Sequence, residues 1–253
     1  MQRKFQLMFE FFSKKKFLVD YLENFVDMHN HILPGIDDGA KTVEESIELI
    51  KSFSEFGVQN FIATPHIMDN YYPNTTETIH TSLDKLKKGM YANDLKHISL
   101  DVAAEHMIDA NFETLLDKSE MMPLRKNYLL VEMSYLQPSI NFEEAIQKIA
   151  SKRFFPILAH PERYNFLQLK SSKFKKYKKK GILFQMNLLS LSEFYGKDVQ
   201  KKALHLLDEG LIDFVASDVH NLSQLQSLKE IKLSNNQLEL MLPLIDRTIQ
   251  SFY

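Results

Sequence analysis

The sequence contains no cysteine among its 253 residues. Thiolate metal ligands, cysteine nucleophiles and disulfides are therefore excluded. No apolar run approaches the ~20 residues of a membrane-spanning helix. The net charge of −2 gives no indication of nucleic-acid binding. No glycine-rich phosphate loop of the G-x-G-x-x-G or G-x-x-x-x-G-K type occurs, so a nucleotide-binding doubly wound sheet has no support.

Two histidines, His29 and His31, follow a short apolar segment and are separated by one residue. On a strand both side chains would point to the same face, because side chains alternate with a period of two. Two imidazoles at the end of a strand form half of a metal site. The Pro-Gly turn that follows returns Asp37 and Asp38 over the strand. A pair of surface histidines in a polar turn is the alternative interpretation.

Short apolar segments alternate with segments of helical spacing along the chain, which favours parallel strands with helical crossovers. The first predicted strand precedes His29, and six more are predicted at 58–64, 99–104, 128–131, 155–159, 182–186 and 214–216. Helices are predicted at 42–56, 75–88, 111–118, 142–151, 170–180 and 197–209, with two more in 222–253. Residues 1–24 are predicted to form a helical extension packed on a single domain, 25–253. Because lysines and Glu10 interrupt its apolar residues and no cleavage site follows, a signal peptide is not expected.

Polar side chains that can bind metals follow nearly every predicted strand. They are His29 and His31, His66, Glu105, Glu132, His160, Asn187, and Asp218 with His220. This is the pattern of the active face of a β/α barrel, where the carboxyl ends of the strands carry the chemistry. We therefore predict an α/β fold, a distorted (β/α)7 TIM-like barrel in a single domain.

The candidate ligands are five histidines and four carboxylates: His29, His31, Asp38, His66, Glu105, Glu132, His160, Asp218 and His220. At ~4–6 ligands per ion, they suit two or three divalent ions, and mixed nitrogen and oxygen ligands suit Mn²⁺, Fe²⁺ or Zn²⁺. Clustered ions of this kind activate water and hold the oxygens of a transferring phosphoryl group.

Arg163 is predicted to bind a phosphate oxygen, and an Asp or His at the site, with Asp218 and His220 as candidates, to protonate the leaving group. Taken singly, each of these residues has a structural alternative; Arg163, for example, could pair with Glu162. The remaining histidines, His80, His97, His106 and His205, are predicted to be structural.

Five segments in chain order resemble the PHP (polymerase and histidinol phosphatase) superfamily. They are D-x-H-x-H at 27–31, G-I-D-D-G at 35–39, T-P-H at 64–66, H-P-E-R-Y at 160–164 and S-D-V-H-N at 217–221. The D-D-G and H-x-E-R-Y segments are most similar to the bacterial tyrosine-phosphatase branch, which occurs with capsule and exopolysaccharide synthesis systems.

The resemblance implies a trinuclear centre, usually of manganese, held by the nine candidate ligands, with Arg163 as the phosphate-binding arginine. It implies hydrolysis of phosphotyrosine on the tail of a membrane-bound tyrosine kinase. A cytoplasmic location with only indirect membrane contact and no nucleic-acid partner is expected.

The sequence departs from the pattern of this branch after His220, where relatives commonly carry a second arginine and the segment 221–226 has none. Residues 1–24 also exceed what the branch requires, and either dock on a kinase or cover the bottom of the barrel.

Three other functions compete with the tyrosine phosphatase. They are a small-molecule phosphoesterase of the histidinol-phosphatase type, a regulatory PHP module without catalysis, and nucleic-acid binding through the lysine-rich segment 173–180. Five loop tyrosines, Tyr71, Tyr72, Tyr135, Tyr164 and Tyr195, either stack on a phosphotyrosine ring or pack at the rim.

Overall fold

The computed structural model describes residues 15–167, 169 and 171–253, and strands and helices alternate through them. The strands are β1 (Lys16–Phe17), β2 (Val26–Asp27), β3 (Asn60–Ala63), β4 (His66–Ile67), β5 (Ser99–Val102), β6 (Glu105–Met107), β7 (Tyr128–Glu132), β8 (Phe155–Ala159), β9 (Leu183–Asn187), β10 (Phe214–Ala216) and β11 (Lys232–Leu233). The helices are α1 (Val43–Ser54), α2 (Thr76–Ala92), α3 (Phe112–Lys118), α4 (Phe142–Ser151), α5 (Ser171–Lys179), α6 (Lys197–Asp208), α7 (Leu222–Lys229) and α8 (Asn235–Phe252).

Parallel strands form two sheets, one ordered β2-β3-β5 and one ordered β10-β9-β8-β7-β6-β4. β3 and β5 correspond to the predicted strands 58–64 and 99–104. Each is followed by a short strand that was not predicted, β4 after Thr64 and Pro65 and β6 after Ala103 and Ala104, and each such pair occupies one strand position. Proline lacks an N–H group and cannot donate to a sheet ladder, which accounts for the break between β3 and β4. Counted this way there are seven parallel strand positions, which confirms the predicted distorted (β/α)7 barrel.

The seam between β2 and β10 is closed by a side chain together with backbone hydrogen bonds. Asp27 accepts from the backbone N–H of Ser217 at 2.9 Å and from its hydroxyl at 2.6 Å. Just beyond, the Asp218 N–H donates to the His29 carbonyl at 2.8 Å, and the His31 N–H donates to the Val219 carbonyl at 3.0 Å. The first and last barrel strands therefore deliver their histidines and Asp218 to the same place.

An aromatic cluster fills the opposite end of the barrel. The Phe214 and Phe252 rings lie 5.0 Å apart and Tyr128 packs edge-on against both. Val26, Ile62, Leu130 and Ile157 add a buried apolar layer to the same cluster. Packing of this kind makes the barrel interior a solid core. The polar residues at the strand ends therefore lie above tightly packed apolar side chains.

Residues 15–24 form other elements than the predicted helical extension. Instead of an amphipathic α-helix, residues 15–24 contain β1 and the 3₁₀ turn Leu18–Tyr21. β1 pairs antiparallel with β11, and Leu18 is fully buried. Residues 1–14, which carry the rest of the predicted extension, lie outside the described part of the chain. In that part, no helix is both long and apolar enough to cross a membrane.

Candidate metal centre

The nine predicted ligands converge at the carboxyl ends of the strands. They come from the loop after β2, from the start of β4 and of β6, and from the ends of β7, β8 and β10. Within the described part of the chain, three groups have ligand atoms that all lie within 4.8 Å of one another: His29, His31 and Asp218; His66, Glu105 and Glu132; and His31, Asp38, His66 and His220. The groups share His31 and His66, so they form one continuous cluster, and the ninth predicted ligand, His160, belongs to none of the groups but adjoins the cluster at Glu105.

Glu105 lies at the centre of this cluster. Its Oε2 atom is 3.2 Å from His29 Nε2, 3.6 Å from His31 Nε2 and 3.0 Å from His66 Nδ1. Its other oxygen, Oε1, lies 3.0 Å from His160 Nε2. One carboxylate therefore faces four imidazoles, and it would contribute oxygen ligands at the middle of the cluster.

Asp38 and Asp218 complete the outer side of the cluster. Asp38 Oδ1 is 3.4 Å from His66 Nε2 and also 3.4 Å from His220 Nε2. Asp218 Oδ1 is 3.4 Å from His29 Nε2 and 3.3 Å from His31 Nε2. Asp38 is half exposed whereas Asp218 is buried, so the cluster opens to solvent on the Asp38 side.

Several buried polar atoms at the centre have no hydrogen-bond partner among the described residues: His29 Nε2, His31 Nε2, His66 Nδ1, Glu105 Oε2 and Glu132 Oε1. Buried polar atoms are almost always paired, because an unpaired one costs about 1–3 kcal/mol. These five belong to different residues and face one another across the cluster. Nitrogen and carboxylate lone pairs aimed at a shared space fit divalent cations well, and these residues could therefore hold metal ions.

The buried carboxylates and histidines shift one another's pKa values. Burial alone would raise the pKa of the Glu105 carboxyl, but His29 and His66 hold that pKa well below its usual range. Burial likewise acts to lower the pKa of His66, yet Glu132 and Glu105 raise it well above the ordinary value. Protons at the imidazoles neutralise the carboxylate charge that cations would neutralise in their place, so proton and metal binding compete.

Backbone geometry at two candidate ligands is unusual. His160 has φ 34° and Asp218 has φ 53°, both in the left-handed region that side chains other than glycine rarely adopt. Such strain persists where surrounding structure enforces it, most often at functional sites. Gly39 meets a different constraint, since a Cβ atom there would lie 2.0 Å from the His31 carbonyl oxygen. The D-D-G turn can therefore lie directly against the H-x-H segment only with glycine at this position.

Sequence reasoning named Asp38 as the ligand and left the role of its neighbour Asp37 unassigned. Asp37 Oδ2 lies 2.8 Å from His31 Nδ1 and also accepts the His66 N–H at 3.2 Å. It orients one ligand from behind and fixes the start of β4. Gln185, which sequence reasoning also missed, plays the matching part at His29, where its Oε1 lies 2.8 Å from Nδ1. The D-D-G turn was a usable signal for Asp37, whereas a glutamine within a strand carries none.

Arg163 is held at the edge of the cluster between two tyrosine rings. Its guanidinium carbon lies 4.4 Å from the Tyr135 ring centre and 4.2 Å from the Tyr195 ring centre. Its Nη1 donates to Asp218 Oδ2 at 2.9 Å. The alternative pairing with Glu162 is wrong, because Glu162 is buried and accepts from Ser190 and Asn187 instead. A stacked, ion-paired guanidinium is well fixed for binding an anion.

A cleft of about 310 Å³ leads to the cluster. Its lining includes Asp38, His66, His220 and Arg163, the tyrosines Tyr72, Tyr135 and Tyr195, and the amides Asn221 and Gln224. Arg163 is the one arginine lining it among residues 15–167, 169 and 171–253. Of the other two predicted aromatics, Tyr164 is fully buried and accepts the Met133 N–H, while Tyr71 is largely exposed.

The histidines predicted to be structural lie outside the three ligand groups. His106 is buried beside Glu105 but points away from the cluster, with Nδ1 3.1 Å from the Leu130 carbonyl and Nε2 accepting the Met122 N–H. Burial lowers the pKa of His106 to about 4, so it stays neutral. His80 and His97 are exposed, and His205 is partly buried on α6.

Comparisons with known proteins agree with this geometry. The profile of the family described as "Capsular polysaccharide synthesis, CpsB/CapC" matches residues 25–232. The tyrosine-protein phosphatase YwqE of Bacillus subtilis is 31% identical over 197 residues, covering 78% of this chain and 77% of the relative. The tyrosine-protein phosphatase CpsB of Streptococcus agalactiae is 28% identical over 204 residues, covering 78% and 83%.

Solved structures extend the comparison to the fold. A structure from a study of YwqE from Bacillus subtilis and CpsB from Streptococcus pneumoniae, described as metal-dependent tyrosine phosphatases, superposes with a TM-score of 0.79 at 28% identity. It covers 90% of this chain and 94% of that chain. A lactonase from Listeria monocytogenes, with a TM-score of 0.57 and 12% identity, shares the fold alone. The family match spans most of the chain and includes every candidate ligand, so the chain belongs to the CpsB/CapC family of capsular polysaccharide synthesis.

Proposed function

We propose that this chain is a metal-dependent protein tyrosine phosphatase that acts in capsular and exopolysaccharide synthesis. One observation carries the proposal: a cluster of histidines and carboxylates with unpaired donor atoms lies directly beside a clamped arginine at the base of an open cleft. Relatives named as tyrosine-protein phosphatases share most of this chain's length. The expected partner is a phosphotyrosine-bearing protein, the tail of a membrane-bound tyrosine kinase, met in the cytoplasm.

The nine ligands would hold two or three divalent ions, for which we propose Mn²⁺. Four carboxylates carry enough negative charge to neutralise two such ions, and the three ligand groups offer places for up to three. When bound, ions of this kind supply a water of lowered pKa and neutralise charge on the phosphate oxygens.

The protein's own residues supply binding, and water supplies the proton. Arg163 donates to a phosphate oxygen and keeps it in place as negative charge develops. Asp218 is a poor proton donor, because His29 and His31 outweigh its burial and hold its pKa well below the usual range. His220 lines the cleft, but its Nε2 faces Asp38 as a ligand and its Nδ1 lies 3.0 Å from the Asp218 carbonyl, so we assign protonation of the leaving phenolate to water in the open cleft. The rings of Tyr72, Tyr135 and Tyr195 offer flat walls for a phosphotyrosine ring.

The proposal is tested by hydrolysis of a phosphotyrosine peptide, with histidinol phosphate in parallel, after chelation and after re-addition of Mn²⁺. Peptide turnover that is lost on chelation and restored by Mn²⁺ supports the proposal. Turnover of histidinol phosphate alone would keep the metal centre but move the function to the small-molecule alternative. No turnover of either substrate would refute both and favour a regulatory module.

A further inference from the structure

Two amide side chains on β9 connect a pair of candidate ligands behind the metal centre. Gln185 and Asn187 are two residues apart, so both point into the barrel, and both are fully buried. His29 and Asp218 lie on either side of them. Buried amides carry two donors and an acceptor that must all be satisfied, so their presence in a strand core needs a reason.

The hydrogen bonds all donate in one direction, from His29 through Gln185 and Asn187 to Asp218. Asp218 Oδ2 accepts from Arg163 Nη1 at 2.9 Å and from Asn187 Nδ2 at 2.6 Å, so the amide nitrogen of Asn187 faces the carboxylate. The opposite atom, Asn187 Oδ1, accepts from Gln185 Nε2 at 2.9 Å. Gln185 Oε1 is then left to accept from His29 Nδ1 at 2.8 Å.

This direction determines which ligand atoms face the centre. Because Gln185 Oε1 can only accept, His29 carries its hydrogen on Nδ1 and presents the Nε2 lone pair to the cluster. Because Asp218 Oδ2 is occupied by two donors, Oδ1 is the oxygen left to face the cluster. His29 Nε2 and Asp218 Oδ1 are the same two atoms that lie 3.4 Å apart at the centre.

The backbone of Asn187 is itself fixed. Its N–H donates to Glu162 Oε1 at 3.0 Å, and that oxygen also accepts the Ser190 hydroxyl at 2.7 Å. Glu162 immediately precedes Arg163 in the H-P-E-R-Y segment. The same short segment thus anchors the amide pair through Glu162 and binds Asp218 through Arg163.

We propose that Gln185 and Asn187 are positioning residues that fix the donor atoms of His29 and Asp218 for metal binding. The inference rests on the ligand assignment of the proposed function. Outer-shell partners of metal ligands typically contribute about 10- to 100-fold to metal affinity. Because the two amides act in series, their contributions are coupled and not independent.

The test is calorimetric titration of the chelated full chain with Mn²⁺ alone, alongside thermal unfolding of the metal-free protein. Gln185→Leu and Asn187→Leu are each expected to weaken Mn²⁺ binding about 10- to 100-fold. The double variant is expected to lose little more than the worse single variant. Gln185→Glu keeps an acceptor for His29 Nδ1 and is expected to lose less affinity than Gln185→Leu, and it also serves if the leucine variant does not fold.

Thr248→Val is the matched control, since Thr248 is buried on α8 and its hydroxyl accepts the Val215 N–H away from the cluster. It is expected to lower the unfolding temperature but leave Mn²⁺ affinity unchanged. The inference is overturned if Gln185→Leu binds Mn²⁺ with the affinity of the parent. It is also overturned if Thr248→Val weakens Mn²⁺ binding as much as Gln185→Leu does. A parent that binds no Mn²⁺ overturns it as well. A parent that binds Mn²⁺ but does not hydrolyse phosphotyrosine refutes the phosphatase alone, and the affinities still decide the role of the amides.

Discussion

Two substitutions of Arg163 distinguish the effect of its positive charge from the effect of its planar shape on phosphate binding. Its side chain is 19% exposed, its guanidinium carbon lies 4.4 Å from the Tyr135 ring centre and 4.2 Å from the Tyr195 ring centre, and Asp218 accepts from one edge. Arg163→Ala removes the charge, the planar donors and the stacking together. Arg163→Lys keeps the charge but loses the fork and the flat surface.

The expected losses follow from these contacts. Removing a donor that acts on developing transition-state charge costs ~10²–10³-fold in rate, so Arg163→Ala should lower kcat/KM by this factor. In Arg163→Lys the two ring contacts weaken, at about 0.5–1 kcal/mol each. Their sum of about 1–2 kcal/mol corresponds to about a tenfold loss, at 1.4 kcal/mol per decade. The lysine variant should therefore lie between the parent and the alanine variant.

The assay is steady-state hydrolysis of a phosphotyrosine peptide by the Mn²⁺-loaded protein, with Mn²⁺ affinity measured on the same preparations. Arg247→Ala is the matched control, because Arg247 is exposed on α8. If Arg163→Ala hydrolyses the peptide with parental kinetics, Arg163 is structural and the phosphate assignment is refuted. If the lysine variant is as slow as the alanine variant, the planar donors of the guanidinium contribute more to the rate than its charge does.

Further predictions concern the ligands, the metal and pH. His160→Ala should abolish hydrolysis while circular dichroism shows a retained fold; unchanged turnover would exclude His160 as a ligand. Chelation should lower the unfolding temperature as well as abolish activity, because ions that bind only the folded state stabilise it; an unchanged unfolding temperature argues against a tightly bound centre. His106 has a folded pKa of about 4 against 6.5, so its stabilising contribution is complete above pH 6.5 and is lost as the pH falls to about 4. Urea unfolding of the parent and His106→Gln should therefore show a stability difference that changes by about 3 kcal/mol between pH 7 and pH 4; a constant difference would contradict this.

The order of strands and helices could be predicted because each element carries its own local signal. The helix at 142–151 and the strands at 155–159 and 214–216 have the predicted bounds. The short strands β4 and β6 were not predicted, because each begins with a polar residue, His66 or Glu105, where the apolar character of the preceding segment ends. Residues 15–24 differ because β1 depends on β11, which lies far away in sequence.

The residues of the cluster could also be predicted, but not all of their roles. His29, His31 and His66 stand at strand ends, where the barrel topology alone brings them together. The sequence could not predict that Asp38 faces the cluster while Asp37 holds His31 in place. The two carboxylates are adjacent, and only the backbone direction within the turn distinguishes where they point. Asn187 was found at a strand end but given no role, and Gln185 was missed, for a related reason: their importance lies in the hydrogen bonds they accept and donate, and neutral amides have no spacing that reveals these.

The seam between β2 and β10 has a consequence for how the protein is made. Asp27 and Ser217 are 190 residues apart in the chain, and His29 meets Asp218 across the same seam. Joining ends so distant costs about 5 kcal/mol of loop-closure entropy, which other contacts must offset before the seam can close. During synthesis, early strands can pair with their neighbours as they leave the ribosome, but the ligand set is incomplete until β10 and the segment after it emerge. A nascent chain is therefore catalytically silent, and activity begins only when the two ends of the barrel have met.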